Sequence, residues 1–441
     1  MVMEAVEVRY QQQLIGALSF NTETGVAAFE YTPAFIRSGV QLSPLKMPLS
    51  RRIFSFPELD FNTFKGLPGL IADSLPDDFG NAVLNAWVAA QGRSPQDISP
   101  LQRLQYIGKR GMGALEFAPA TRMRQLNASQ AVAIDELVTI AQDILDARHK
   151  FSVTLPSNGD ADREAMLALL SVGTSAGGAR PKAVLAFNDD FSQVRSGQVS
   201  VPDGFTHYLL KFDGVTESHS SQQTFGDPLG YGAMEYVYYL LARDCGIDME
   251  FCRLLPEGSR RHFLTRRFDR VGNKKVHVQT LNGLAHVDYK KPGSFSYEEV
   301  FDVARQLKLP AHDFDQILRR LVFNIVARNH DDHAKNIAFV MNESGQWRLA
   351  PAYDMAYSYK PGSAWVAQHW MRLNGKRDNF VRADIYSLER QSPLFSRSYL
   401  DDIISATLNV VGQWPRVARE WDVPPALIDE IAHALRGRHL S

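Results

Sequence analysis

Between Ile317 and Asp354 one stretch of the sequence limits the possible folds more than any other. Ile317, Leu318, Leu321, Val322, Ile325 and Val326 recur at the spacing of a buried α-helix. That helix runs into Asn329-His330-Asp331-Asp332-His333-Ala334-Lys335-Asn336, which is too polar to be core. Ile337 to Val340 and Trp347 to Ala350, on either side of Gly345, then read as a hairpin returning Tyr353-Asp354-Met355 beside the polar run. A buried helix of this kind needs a sizeable core behind it. With 441 residues, 45% of them hydrophobic, the chain has enough for two or three domains.

The rest of the chain supplies the frame. Val6 to Tyr10 and Val26 to Tyr31 alternate as strands around the turn residues Asn21 to Gly25. Helical text runs from Phe61 to Ala90, with Leu75-Pro76-Asp77-Asp78 as a helix start. Gly108-Lys109-Arg110-Gly111-Met112-Gly113 leads into strand-like Ala114 to Phe117, and a polar connector follows. Ala131 to Arg148 is helical text, and Gly173 to Lys182 is a glycine-rich loop opening into the strand Ala183 to Phe187. His207 to Phe212 and His262 to Phe268 are further strands, and Ala233 to Asp244 is a helix stopped by Gly246. Beyond Pro292 the text is mostly helical apart from the hairpin. This order predicts an α+β protein of two lobes. Residues 1–125 form an extra N-terminal subdomain, 126–270 a β-rich lobe with the glycine-rich loop, and 271–441 a helical lobe.

Composition excludes several classes. Lys+Arg 48 against Asp+Glu 49 argues against a DNA-coating surface. Cys245 and Cys252 are too few for a zinc tetrad and fit a reducing, cytoplasmic setting. Glu4 and Glu7 precede any apolar run that could build a signal peptide, and no stretch approaches the roughly 20 apolar residues of a membrane span. No membrane association is expected.

Asp331 and Asn336 have the Asp-x4-Asn spacing of protein kinases, in which the Asp accepts the substrate hydroxyl proton and the Asn holds magnesium. Asp354 stands where a second metal-binding aspartate belongs, and two such oxygens suit Mg²⁺. The glycines of Gly173 to Lys182 are not a Walker A motif, yet their N–H groups can form an anion nest, with Lys182 and Lys211 placed to meet phosphates. Glu235 is a candidate to orient Lys211, although a helix-start Glu also serves the dipole. The rival chemistry is metal-dependent hydrolysis by the cluster His330, Asp331, Asp332 and His333. That reading ranks second, because it leaves the glycine-rich loop and Lys211 without work. Asp78-Phe79-Gly80 spells a kinase signature but lies upstream of the Asp-x4-Asn run, in the wrong order.

These residues resemble the HipA family of serine/threonine kinase toxins from bacterial toxin–antitoxin systems. The resemblance covers nearly the whole chain. It rests on Leu42-Ser43-Pro44-Leu45, Met47-Pro48-Leu49, Leu75-Pro76-Asp77 and Gly113-Ala114-Leu115 in the first part. In the second it rests on Ser175-Ala176-Gly177-Gly178-Ala179-Arg180-Pro181-Lys182, Arg267-Phe268-Asp269-Arg270, the run from Asp331 to Asn336, and Pro351-Ala352-Tyr353-Asp354. It implies a two-lobed protein-kinase-like fold that uses ATP and Mg²⁺. Asp331 is then the catalytic base, and Asn336 and Asp354 bind the metal. Gly177, Gly178, Ala179, Arg180, Lys182 and Lys211 meet the phosphates. Arg266, Arg267 and Phe268 form the hinge against adenine, and His333 and Tyr353 lie near the nucleotide. Ser175 matches an autophosphorylated serine, whose phosphate would add a charge of about −1.5 to −2 inside the phosphate loop. Arg180-Pro181 and Arg266 depart from the family pattern, where a Gln-Glu pair and a glutamate occur.

The resemblance also implies partners: a helix-turn-helix antitoxin of the HipB kind, operator DNA reached mainly through it, and a protein substrate in translation such as an aminoacyl-tRNA synthetase. A non-kinase alternative is a chain serving mainly as corepressor in an antitoxin–DNA complex.

Overall fold

The computed structural model describes residues 4–120, 129, 131–147, 180–216, 226–435 and 440. The chain forms two compact units. The first comprises Met1–Gln41, Leu49–Gly232 and Cys252–His277, and the second Leu42–Pro48, Ala233–Phe251 and Val278–Ser441. Both of the segments expected before residue 270 contribute to the first unit, while residues 42–48 and 233–251 join the helical remainder.

The first unit holds two antiparallel sheets. One runs in the order Val26–Tyr31, Gln13–Asn21, Glu4–Tyr10, Leu115–Ala118. Its second strand escapes the alternation signal because Gly16 interrupts the pattern. A Cβ there would fall 2.5 Å from the Phe29 ring and 2.4 Å from Glu30 O, so only glycine lets the strands close. The other sheet has the order Cys252–Glu257, Arg260–Arg266, Phe205–Lys211, Lys182–Asn188, Val194–Ser196. Helices Asp78–Ala90 and Ile134–Ala147 pack on it through one core that includes Phe79, Val83, Trp87, Leu137, Ala141, Leu185, Phe187 and Leu210. The start of the first helix is as the text predicts: Asp77 Oδ1 accepts the Gly80 N–H at 2.6 Å.

Asp213, just past Lys211, ties the ends of this sheet. Its Oδ1 accepts from Gly230 and Gly232 N–H, its Oδ2 accepts from Arg261 N–H, and its own N–H donates to His262 Nδ1. A Cβ at position 232 would lie 2.0 Å from Arg261 O, so the approach requires glycine.

The second unit is built on the helix Ala311–Val326, buried along most of its length. Around it stand Tyr297–Gln306, Arg397–Val411, Trp414–Glu420 and Pro425–Ala434, with a small sheet of His277–Thr280, Ala338–Met341 and Trp347–Leu349. Tyr238 is a packing residue: it is buried against Phe323 and Trp414, and its hydroxyl donates to Ala327 O. The expectation of mostly helical text beyond Pro292 fails over residues 351–381, which contain neither helix nor strand. That stretch is shaped by hydrogen bonds to the polar run, which no local periodicity records.

Candidate active site

The site of the second unit begins where the buried helix stops. After Val326 the chain reverses through Arg328, at φ +58°, and Asn329 N–H donates back to Asn324 O. Arg328 is pinned by its Nε on Ala434 O and by Tyr359, whose ring lies 4.0 Å from the guanidinium. His330 N–H donates to Ser358 O, and Ser358 N–H donates to Arg328 O, so the irregular stretch is laced onto the start of the polar run.

Asp332 points inward and is almost fully buried. Its Oδ2 accepts from Tyr297 OH at 2.8 Å and lies 3.0 Å from His369 Nδ1, while Oδ1 accepts Trp370 N–H at 2.7 Å. Burial raises the pKa of Tyr297 well above its ordinary value, and the neighbouring Asp332 charge adds to this, so the phenol keeps its proton and remains the donor. The Tyr297 hydroxyl also accepts from Asn324 Nδ2 at 3.1 Å. A carboxylate held from one side by Tyr297 and from the other by the adjacent His369 and Trp370 fixes the turn that carries its neighbour Asp331.

Asp331 points the other way. Its Oδ1 accepts the indole N–H of Trp365 at 3.0 Å and lies 3.6 Å from His333 Nε2. Asn336 donates its Nδ2 to Asp331 O at 2.7 Å, which leaves its Oδ1 as the atom suited to a cation. Tyr353 OH donates to Lys335 O at 2.6 Å, and Asn329 Nδ2 donates to Asp354 O at 3.2 Å. Asp354 itself has φ +53°, a conformation that Asp tolerates better than most residues and that recurs where a site fixes its backbone. Asp332, Asn336, Tyr353 and Asp354 line one pocket with Tyr297, Asn324 and Asn329, its walls completed by apolar side chains such as Ile317 and Met355. The hairpin thus does return Asp354 to the polar run. Asn336 and Asp354 offer the hard oxygens that Mg²⁺ takes, so these residues fit the metal.

The hydrolase cluster is not formed. Asp332 faces Tyr297 and His369, and Asp331 faces Trp365. His330 lies against His369 and Tyr359, and His333 against Tyr289. Adjacent residues on a tight turn diverge, so four ligand types in sequence do not make one coordination sphere. Among the described residues no three His, Cys, Asp or Glu side chains group as a metal site.

The remaining candidates belong to the first unit. Lys182 and Lys211 stand directly opposite each other on paired strands, and both are buried. Lys182 Nζ lies 2.9 Å from Asp77 Oδ2, with both side chains almost wholly enclosed. Arg180 is half-buried just before that strand. At the position expected to form the hinge, Arg266 is exposed and Phe268 half-buried, whereas the Arg267 side chain is buried. Arg267 donates through Nε and Nη2 to the two oxygens of Asp269, at 2.8 and 2.7 Å, and its backbone N–H donates to His207 O. Burial would raise the Asp269 pKa, but Arg267, Arg270 and the Gly113 N–H outweigh it and hold the carboxyl below the usual range. Ser175, Gly177, Gly178 and Ala179 lie outside the described residues. Glu235 falls in the second unit and Lys211 in the first.

Sequence reasoning missed Asp77 as a partner of Lys182, and it missed Tyr297, Trp365, His369 and Trp370. The one available signal was that two of the six tryptophans fall five residues apart, in text with no helical or strand period.

The antiparallel sheets of the first unit and the helices of the second, with Asp331 and Asp354 on loops beyond the buried helix and Asn336 at the end of a short 3-10 turn, make an α+β protein. Residues 6–118 match the family model of the HipA N-terminal domain, and residues 174–435 match that of the HipA-like C-terminal domain. The chain belongs to the HipA family. It is similar to Y4mE of Sinorhizobium fredii, with 25% identity over 467 residues covering 99% of this chain and 98% of that one. It is also similar to the serine/threonine-protein kinase toxin HipA of Shewanella oneidensis, with 21% identity over 79% of this chain and 74% of the relative. Among solved structures, the complex of Shewanella oneidensis HipA with HipB and operator DNA matches with a TM-score of 0.66. Identity there is 18%, over 97% of this chain and 95% of that chain.

Proposed function

We propose that this chain is an ATP- and Mg²⁺-dependent serine/threonine protein kinase, the toxin of a toxin–antitoxin pair. The observation that supports the reading is that Asn336 donates its amide to the Asp331 carbonyl and lines one pocket with Asp354. In this reading the acceptor hydroxyl oxygen bonds to the γ-phosphorus, and the bond to the bridging oxygen breaks with its electron pair leaving on ADP. The hydroxyl proton passes to Asp331. Bound Mg²⁺ would neutralise and orient the phosphates, held by Asn336 and Asp354. Gly177, Gly178, Ala179, Arg180, Lys182 and Lys211 meet the phosphates, Arg266 to Phe268 the adenine, and His333 and Tyr353 border the nucleotide.

The relative solved with HipB and operator DNA supports a HipB-like antitoxin as partner, which in this reading is a helix-turn-helix protein carrying the DNA contacts. The acceptor class is a translation protein such as an aminoacyl-tRNA synthetase, and Ser175 is the site of self-inactivation. The test compares the chain with Asp331→Asn for phosphate transfer from Mg-ATP, with mass spectrometry of Ser175. Loss of transfer by about 10²–10⁴-fold in a folded variant is expected, with phosphate on Ser175 only in the parent chain. Equal transfer in both removes Asp331 as the base.

A further inference from the structure

Two neighbouring carboxylates of the polar run are gripped by one short stretch of irregular chain. Trp370 N–H holds Asp332 Oδ1 at 2.7 Å, and Trp365 Nε1–H holds Asp331 Oδ1 at 3.0 Å. The stretch between them is braced. Ser363 Oγ accepts both Trp365 N–H at 3.1 Å and Val366 N–H at 3.2 Å, fixing the turn that presents the indole. The indole packs on the buried Trp370 ring, with centroids 4.1 Å apart, and Trp370 N–H also donates to His330 O. The tryptophan therefore has a fixed body and one donor, and that donor meets a carboxylate whose side chain is one-third exposed. His333 Nε2, at 3.6 Å, is too far from the same oxygen to share the work.

We propose that Trp365 is a positioning residue for the catalytic base. Its indole N–H holds one oxygen of Asp331 and so sets the rotation of the carboxylate toward an acceptor hydroxyl. A hydrogen bond to an ionised acceptor is short and directional. A base must stand within hydrogen-bond reach of the proton it takes. An Asp331 able to rotate would spend part of its time misaligned, and small misplacements cost rate without weakening nucleotide binding. The inference rests on the kinase reading above and extends it to a residue outside the Asp-x4-Asn pattern.

The test uses the full chain, Trp365→Phe, Asp331→Asn, and a chain carrying β-(3-benzothienyl)alanine at position 365. That analogue keeps the ring shape and lacks the N–H. The first readout is the ¹H–¹⁵N indole resonance of Trp365, identified by its disappearance in Trp365→Phe. It should shift in Asp331→Asn, where the charge on the acceptor is gone. The second is turnover of Mg-ATP with casein and with water as acceptors. Removing the N–H should lower kcat by roughly 10-fold or more, with KM for ATP within about twofold, and the analogue should behave as Trp365→Phe does. A residue that only packs would leave the analogue at wild-type kcat, and that result overturns the proposal, as does an unmoved indole resonance. Faster turnover without the N–H would mean that Trp365 blocks the base, and it also overturns the proposal. The kinase reading fails separately, through Asp331→Asn that turns over like the parent.

Discussion

Asp77 Oδ2 lies 2.9 Å from Lys182 Nζ, with both side chains almost fully enclosed, while Asp77 Oδ1 caps the helix Asp78–Ala90. Lys182 faces Lys211 across the strand pair, so the aspartate offsets charge at a point where two ammonium groups are buried side by side. Removing one member of such a pair strands the other. Asp77→Ala should destabilise the chain by about 3–5 kcal/mol. Asp77→Ala combined with Lys182→Met should recover most of that loss. Urea unfolding of the two single variants and the double variant measures the coupling, and additive losses would mean that the pair contributes nothing.

Asn336 and Asp354 are expected to act through the metal. Asn336→Ala and Asp354→Asn should each weaken binding of Mg-ATP more than binding of magnesium-free ATP, read by calorimetry. Asparagine is the right substitution at 354, because φ +53° is tolerated by Asn and strained for Ala. Equal losses with and without Mg²⁺ would assign both side chains a structural role.

Tyr297→Phe removes the donor that Asp332 Oδ2 receives and the acceptor that Asn324 uses. A cost of about 1–3 kcal/mol is expected from the stranded buried groups. Turnover of Mg-ATP should fall as well, since the turn bearing Asp331 loses a strut. Unfolding midpoints and phosphate release, measured together, check this. A variant with unchanged stability would remove Tyr297 from the network.

Acid should weaken the first unit. Burial pushes His207 and His262 down to about 4 from an ordinary value of 6.5, with the Arg267 charge adding to the effect at His207 and Glu257 partly opposing it at His262. The unfolded chain therefore takes up protons first. Stability is full above about pH 6.5 and declines as pH falls toward about 4, by up to about 2 kcal/mol per histidine at pH 5. His262 Nδ1 must also stay unprotonated to accept the Asp213 N–H. His262→Gln keeps an acceptor that does not titrate, so its urea midpoint should fall less between pH 7 and 5 than the wild-type midpoint.

What the sequence showed of this site follows from the range of each interaction. The helix Ala311–Val326 and the return of Asp354 were legible, because apolar residues at helical spacing and a hairpin around Gly345 are local patterns. The capping by Asp77 was legible for the same reason, but its second oxygen meets a strand from a distant part of the chain, which no spacing encodes. The mostly helical text beyond Pro292 gives no sign of the irregular stretch after Asp354, because its shape comes from bonds to Arg328, His330 and Asp332. The hydrolase alternative failed because consecutive His and Asp letters do not record side-chain direction.

The core of the first unit draws Phe79, Val83 and Trp87 from the stretch that matches one family model, and Ala183, Leu185, Phe187 and Leu210 from the stretch that matches the other. Asp269 and Arg270 reach back across the same seam to Gly113 and Gly111. The boundary between the two models is therefore not a place where the chain can be cut. A fragment starting at residue 174 would bare side chains whose burial is worth about 1.5–3 kcal/mol each, against a usual total stability of about 5–15 kcal/mol. The two named domains are one heritable piece: recombination that traded either for a foreign counterpart would have to remake the shared interior along with it.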